Sequence, residues 1–226
     1  MIISLDTSGP LFSIALFRNG ELEEKAYKGN RENSERIIIE INSLLKDSSL
    51  SFEDVQGLAF CSGPGSFSGV RVASGIAYGI AFAKNIPIVG VSSLEALAAI
   101  HPEKNTISCV DARMNQLYIG MFESINGRPR QLNDLGVYDP GTLPSSRLDN
   151  PIIIGSGVKI YHEELRSKYD SLNPTFIEED CALAGVVARL AKNRLGDVFD
   201  LANASPIYIR NKVANTIIER QKNKKS

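Results

Sequence analysis

Short apolar runs separated by polar turns fill the first thirty residues and predict a sheet that opens with a hairpin. An apolar run over residues 2–5 ends at Asp6, and a second run covers residues 11–17. Asn19-Gly20 follows, a dipeptide typical of two-residue hairpin turns, and leads into a third strand over residues 21–28. The pattern therefore predicts three strands, of which the second and third form a β-hairpin.

The same order of elements returns about a hundred residues later. A strand over residues 107–111 ends in an acid, and a second strand covers 116–122. Asn126-Gly127 then leads into a third strand over 130–138. Asn-Gly hairpins are common, so coincidence is the alternative. The repeated order of strand, acid and hairpin nevertheless favours an internal duplication.

Helix-prone stretches and a buried strand follow each hairpin. In the first half, the predicted helices cover 34–46, 67–84 and 93–100, with a strand over 55–61. In the second half, they cover 142–148, 158–168 and 181–193, with a strand over 152–155. Strands that begin antiparallel and continue through helical crossovers give a mixed sheet with helices packed on its faces.

A polar segment at 101–105 separates the two halves and marks the predicted boundary between them. We therefore predict an α/β fold with one lobe over residues 1–101 and a duplicated lobe over 102–210, arranged around a cleft. A C-terminal helix over 211–226 would rejoin the first lobe.

Composition and charge narrow the class of protein. The 226 residues are 43% hydrophobic and carry a net charge of -1, which argues against a protein that holds nucleic acid by itself through phosphate neutralisation. The basic tail at 220–225 is interpreted as a solvated terminus, with contact to RNA as the alternative. The three cysteines form no CxxC pair, and the first strand begins directly after Met1, so we expect a cytoplasmic protein.

Acids at corresponding strand ends are the first candidate for chemistry. Asp6 and Asp111 would lie near one another across the cleft, where paired carboxylates can hold hydrated Mg²⁺. Thr7 and Ser8 could donate hydrogen bonds to a phosphate, and Gly155 and Gly157 could let it approach the backbone at a helix start. The alternative is that these residues only form turns. The candidate cofactor-binding residues are Asp6, Thr7, Ser8, Asp111, Gly155 and Gly157.

A glycine-rich segment precedes the long helix predicted over 67–84. It lacks the Lys-Ser/Thr pair of a phosphate loop, and Phe67 stands where a GxSxG elbow needs its serine. Ser66 or Ser68 can cap the helix, so a structural turn is at least as well supported as ligand contact. The motif residues are Gly63, Pro64, Gly65, Ser66, Gly69 and Arg71.

Two rows of small residues run along this helix, one from Gly69 to Ala81 and one from Gly75 to Ala83. Glycine inside a helix lowers stability by about 0.5–1 kcal/mol relative to alanine, so Gly75 and Gly79 suggest close approach of another element. The helix over 34–46 carries a wide isoleucine and leucine stripe. Burial within the lobe would explain both features, and a partner interface is the alternative. The predicted partner-binding residues are Ile37, Ile38, Ile41, Leu45, Val70, Ala73, Ile76, Ala77 and Ile80.

Neither a metal site nor a nucleophile is predicted. The two histidines, His101 and His162, form no HxxxH pair, and no cysteine has a histidine beside it. We therefore predict no catalytic residue and no metal ligand.

Several segments together resemble the TsaB (YeaZ) family. They are the opening run 3–8, the glycine segment 63–71, Asp111-Ala112-Arg113 with Tyr118, and the late run 206–210 with Val213-Ala214. The glycine segment is the specific one, and the others occur in the expected order across nearly the whole chain. Ser68 stands where threonine is more usual, and Asn33 where some relatives have histidine.

The resemblance implies the ASKHA fold of actin and Hsp70 and a role in forming N6-threonylcarbamoyladenosine at position 37 of ANN-decoding tRNAs. It implies a heterodimer with the larger paralogue TsaD, the transferase, made through helices of the first lobe. It also implies a ternary complex with the ATPase TsaE, contact with tRNA through that complex, and a TsaC-type enzyme upstream. The exposed apolar face would also allow a homodimer.

Two functions therefore stand. In the first, the chain is a non-catalytic scaffold that activates TsaD, with no tightly bound cofactor of its own and ATP or ADP with Mg²⁺ only at the level of the complex. In the second, it is an ASKHA-type ATPase or small-molecule kinase that uses Asp6 and Asp111 around Mg-ATP. The first predicts that changes in the first-lobe helices abolish complex formation, and the second that changes of the acids abolish turnover.

Overall fold

A computed structural model describes residues 1–28, 33–178 and 180–209. The helix predicted over 211–226, the basic tail and the family run's Arg210 and Val213-Ala214 lie outside these residues. Asn33, at the start of the first helix, lies inside them.

The first five strands form one mixed sheet. They are β1 (Ile2–Asp6), β2 (Leu11–Arg18), β3 (Glu21–Lys28), β4 (Gly57–Gly63) and β5 (Ile88–Ser92), in the spatial order β3-β2-β1-β4-β5. β1 pairs antiparallel with β2 and parallel with β4. Both central residues of the β2–β3 turn, Asn19 and Gly20, have positive φ angles, which confirms the predicted hairpin turn.

The second sheet repeats the first. Its strands are β6 (Thr106–Asp111), β7 (Leu117–Ile125), β8 (Arg128–Gln131), β9 (Gly136–Tyr138), β10 (Ile152–Ile154) and β11 (Thr175–Ile177). Their order is β11-β10-β6-β7-β8, with β9 paired to β7. Each strand of this order has a counterpart in the first sheet, with the same antiparallel hairpin and parallel crossovers. The predicted duplication into two lobes is confirmed.

Helices cover the faces of both sheets. They are α1 (Asn33–Asp47), α2 (Phe67–Lys84), α3 (Ser93–Ala98), α4 (Gly157–Ile160), α5 (His162–Tyr169) and α6 (Ala184–Ala191). Among the described residues, no helix combines the length and the apolarity that crossing a bilayer needs.

Four expectations from the sequence differ from the structure, and the first is the helix predicted over 158–168, which is split into α4 and α5 at Tyr161. The helix predicted over 142–148 is absent, and only a 3-10 turn forms at Pro140–Thr142, because Pro140 and Pro144 interrupt the segment. The third strand predicted over 130–138 is split into β8 and β9. The helix predicted over 181–193 is shorter, and this helix, α6, packs on β1, β2 and β4 of the first sheet.

The lobes meet through α3 and α6. α3 contacts β4 and β5 of the first sheet and β6 and β7 of the second. Two buried serines of the first sheet hold the start of α6: the Ser4 hydroxyl donates to the Ala184 carbonyl at 2.6 Å, and the Ala184 N–H donates to Ser13 Oγ at 3.0 Å. The boundary near residue 101 stays a prediction, while α6, from the second half of the sequence, lies on the first sheet.

Candidate functional site

A cleft lies between the lobes at the ends of β1 and β6. Its cavity, of about 610 Å³, is lined by the β1–β2 turn, the glycine segment and the start of α2 on one side. The run 207–209 lies against this first side, and the β6–β7 turn and α4 line the other side. A volume of this size is typical of small-ligand sites.

The glycine segment interlocks with the β1–β2 turn. The Ser66 N–H donates to the Ser8 carbonyl at 2.8 Å, and the Thr7 hydroxyl donates to the Gly69 carbonyl. A methyl group at Gly65 would overlap the Ser8 carbonyl oxygen, and one at Gly69 would overlap that of Thr7. The glycines are therefore required for close backbone approach, which agrees with the structural interpretation of the motif.

The rest of the motif shapes the turn into α2. Gly63 has a φ of 90°, in the left-handed region that favours glycine, and the Ile207 N–H donates to the neighbouring Ser62 carbonyl at 2.8 Å. The Pro64 carbonyl accepts from the Ser93 hydroxyl. Ser66 caps α2 through its Oγ, which accepts from the Gly69 N–H at 3.3 Å.

Asp6 is buried, and its environment differs from that of a solvent-facing metal ligand. Its Oδ1 accepts from the Ser8 N–H at 2.8 Å and from the Ser8 hydroxyl at 2.6 Å, while Oδ2 has no hydrogen-bond partner among the described residues. Burial raises the pKa of Asp6 against the opposing effect of the Ser8 hydrogen bonds. Asp6 lines a small adjoining cavity of about 30 Å³, which is large enough to hold a water molecule.

The predicted phosphate donors are already engaged. The Thr7 hydroxyl donates to Gly69 and that of Ser8 to Asp6, and both side chains are buried. This corrects the expectation that these two hydroxyls face a phosphate in the cleft.

Asp111 lines the large cavity, and the small cavity beside Asp6 adjoins it, since Ser8, Pro64 and Ser156 line both. Oδ1 of Asp111 accepts from the Arg113 N–H at 2.9 Å, and its Oδ2 lies 3.3 Å from the Arg113 guanidinium. The Tyr161 hydroxyl lies 3.5 Å from Oδ1, and burial followed by the Asp111 charge raises the pKa of Tyr161. Asp111 therefore orders its own turn.

Gly155 and Gly157 lie beside the β6 backbone. Gly155 has a φ of 123°, and a methyl group there would overlap the Cys109 carbonyl oxygen. A methyl group at Gly157 would lie 3.3 Å from the same carbonyl. The close approach of backbone to backbone accounts for both glycines without a ligand.

Most of the predicted partner-binding side chains lie inside the first lobe. Six are buried in its core: Ile37, Ile41, Leu45, Val70, Ala73 and Ala77. This corrects the prediction for those six, because a folded lobe cannot present them to another chain. Ile76 and Ile80 are half-buried, and Ile38 is exposed.

The two small-residue rows of α2 face opposite environments. The row from Gly69 to Ala81 packs inward. Gly75, Gly79 and Ala83 are exposed, and a methyl group at Gly75 or Gly79 would have nothing within 4 Å. We call these three residues the α2 face. α1 packs against α2, and its exposed side carries Ile38 and Ile39.

Sequence reasoning missed the rim of the cleft. Four of the ten exposed large hydrophobic side chains in the described part of the chain line this cavity: Phe67, Met114, Ile160 and Tyr208. The signal was weak, because Phe67 and Met114 each stand alone between polar neighbours, whereas Ile160 and Tyr208 adjoin other large apolar residues and resemble core positions. Only the position of Phe67, directly after a helix cap, indicates exposure.

Among the described residues, no group of three or more histidine, cysteine, aspartate or glutamate side chains could hold a metal ion. Cys61 and Cys109 are buried free thiols, and burial raises the pKa of each. They are therefore thiols rather than thiolates at neutral pH.

Comparison with known proteins gives a consistent set of relatives. The family profile described as "TsaD: tRNA N6-adenosine threonylcarbamoyltransferase" matches residues 24–136. The chain is 31% identical to "tRNA threonylcarbamoyladenosine biosynthesis protein TsaB" of Haemophilus influenzae over 94% of both chains. It is 36% identical to the protein of the same name from Escherichia coli over 54% of both chains.

Solved structures of similar proteins agree with these sequence relatives. "YeaZ from Pseudomonas aeruginosa" superposes with a TM-score of 0.76 at 26% identity, covering 92% of this chain and 98% of that one. A second Pseudomonas aeruginosa structure, titled as an uncharacterized protein with similarity to peptidase YEAZ, gives a TM-score of 0.78 at 26% identity and covers 92% and 99%.

Proposed function

The chain belongs to the TsaB family of tRNA threonylcarbamoyladenosine biosynthesis proteins, and from that premise we propose that it is a non-catalytic subunit that pairs with the transferase TsaD. The α2 face is the observation that carries the proposal. Gly75 and Gly79 lower helix stability by about 0.5–1 kcal/mol each relative to alanine, yet nothing in the described chain occupies the space above them. A second helix packed on this face would use that space, since small residues let two helix axes approach closely.

The state of the cleft supports a non-catalytic role. The hydroxyls of Thr7 and Ser8 bond within the chain, Asp6 is buried with a raised pKa, and Asp111 orders its own turn. Each group that an ASKHA kinase would direct at Mg-ATP is engaged in holding the chain's own loops together. The proposed working surface is therefore the α2 face, with TsaE and tRNA joining at the level of the complex.

Binding of purified TsaD tests the α2 face directly. Gly79→Arg places a long side chain into open space, so the chain stays folded while close helix packing is blocked. We expect loss of the complex in size-exclusion chromatography and at least a hundredfold weaker binding by calorimetry. Gly141→Arg is the matched control, because this second-lobe glycine also has nothing within 4 Å. Unchanged binding by Gly79→Arg would refute the proposed surface.

Reconstitution of the reaction separates scaffold from enzyme. The chain is mixed with TsaD, TsaE, tRNA, ATP and threonylcarbamoyl-adenylate, and modified tRNA is measured over time. We expect Asp111→Asn to keep the rate within about threefold and Gly79→Arg to reduce it to the level without this chain. Equal modification of the tRNA when the chain is omitted would contradict the scaffold role. Loss of turnover with Asp111→Asn in an intact complex would favour the alternative function, in which this chain is itself an enzyme.

A further inference from the structure

The rim of the cleft concentrates exposed apolar surface away from the α2 face. Phe67, Met114, Ile160 and Tyr208 are between 43% and 56% exposed and line one cavity. Arg113 and Lys159 line the same cavity. We call these six residues the cleft mouth. Gly75 and Gly79 lie eight and twelve residues beyond Phe67, which is about 12–18 Å along the helix, so the two surfaces are separate.

On the first-lobe side, an arginine orders the two aromatic rings. The Arg71 guanidinium carbon lies 3.4 Å from the Phe67 ring centroid and 5.1 Å from that of Tyr208. Arg71 also donates to the Phe67 carbonyl at 3.0 Å, which fixes its position. More than half of each aromatic side chain remains open to solvent. The result is a preformed pair of exposed rings, which are the side chains on which unpaired nucleobases stack.

On the second-lobe side, a turn in an unusual conformation presents Met114 and Arg113. Residues 113–115 all have positive φ angles, between 55° and 59°, which non-glycine residues rarely adopt in succession. The side chain of Arg113 is 87% exposed, and Lys159 is exposed at the end of the neighbouring helix. Apolar and cationic groups therefore face the aromatic pair across the opening.

The charges at the mouth fit a ligand that is held mainly by stacking. Three acids line the cleft: Asp111 pairs with Arg113, Glu178 lies 3.7 Å from His162, and Asp180 is exposed. The net charge of the whole chain is -1, so strong phosphate neutralisation is absent. A ligand with flat bases and few phosphates fits these charges better than a nucleic-acid duplex does, because a duplex carries more phosphates.

We propose that the cleft mouth binds a short unpaired stretch of RNA, with bases stacked on Phe67 and Tyr208 and the backbone near Arg113 and Lys159. This deepens the proposed function, on which it rests, because it gives the subunit its own contact with the tRNA substrate. The contact would be weak in isolation and would add to the binding made by the rest of the complex.

Fluorescence anisotropy with the full-length chain and a labelled seven-nucleotide unpaired RNA tests the proposal. We expect the double change Phe67→Ala with Tyr208→Ala to weaken binding by tenfold or more, as removal of stacking platforms does. Tyr208→Phe keeps the ring and should stay within twofold of the unchanged chain. Leu132→Ala, at a side chain that is 48% exposed and does not line the cavity, is the control. Log affinity falls as log salt concentration rises, and Lys159→Ala should make this slope shallower by about 0.7.

Three outcomes would overturn the proposal: no binding by the unchanged chain, equal binding by the double variant, or equal binding of a seven-base-pair RNA duplex. The variants also separate this proposal from the pairing with TsaD. Gly79→Arg should bind the RNA normally, and the double variant should bind TsaD normally. If the double variant keeps RNA binding and loses TsaD instead, the cleft mouth is a protein contact, which overturns RNA binding and leaves the pairing intact.

Discussion

Two glycines of α2 show how a single residue can serve the fold or a surface. At Gly69, an added methyl group would overlap the Thr7 carbonyl oxygen, so Gly69→Ala should lower the free energy of unfolding by about 3 kcal/mol. At Gly75, the space is open, and Gly75→Ala should raise the free energy of unfolding by about 0.5–1 kcal/mol because alanine favours the helix. Urea denaturation of the two variants checks both signs. Destabilisation by Gly75→Ala would mean that its face is already covered.

Asp6 should make stability depend on pH. Its pKa is raised in the folded chain, so the folded state holds the proton more tightly than the unfolded state does. The contribution of Asp6 to stability is therefore present below its unfolded pKa, near 3.8, and is lost as pH rises through the raised folded pKa. We expect Asp6→Asn to gain stability relative to the unchanged chain as pH rises. Denaturation from pH 4 to 8 measures this, and a difference constant with pH would contradict the assignment.

At the scale of elements, hydrophobic periodicity and turn residues were sufficient to predict the bounds of a helix or strand where its signals are local. The helix 67–84 and the strand 21–28 have the predicted bounds, because a cap, an Asn-Gly turn or a long apolar run marks their ends. β5 was not predicted, although Asn85, the left-handed cap of α2, and Pro87 separate its short apolar run from the helix. α6 has the predicted type, but its packing on the first sheet depends on Ser4 and Ser13, about 180 residues away in sequence. Such distant contacts leave no local pattern.

The same distinction explains what was predicted of the site. The motif glycines could be recognised from sequence, and so could the two acids at equivalent strand ends. Which face of a helix is buried could not be predicted for α1 and α2, since both helices are rich in apolar residues on more than one side. The cleft mouth joins Phe67, Met114 and Tyr208, which the fold alone brings together.

At the scale of the whole molecule, α6 joins the duplicated halves into one unit. Ser13 accepts the N–H of Ala184 at the first residue of α6, and both residues are buried, so Ser13→Ala leaves that donor without its partner. We expect a loss of about 1–3 kcal/mol. Because α6 packs on the first sheet and α3 contacts both sheets, the loss should appear equally in β1 and in β6. Hydrogen exchange followed strand by strand measures this, with exposed Ser68→Ala as the control. If β1 loses protection while β6 keeps it, the lobes unfold separately, and the contacts of α3 and α6 do not couple their stabilities.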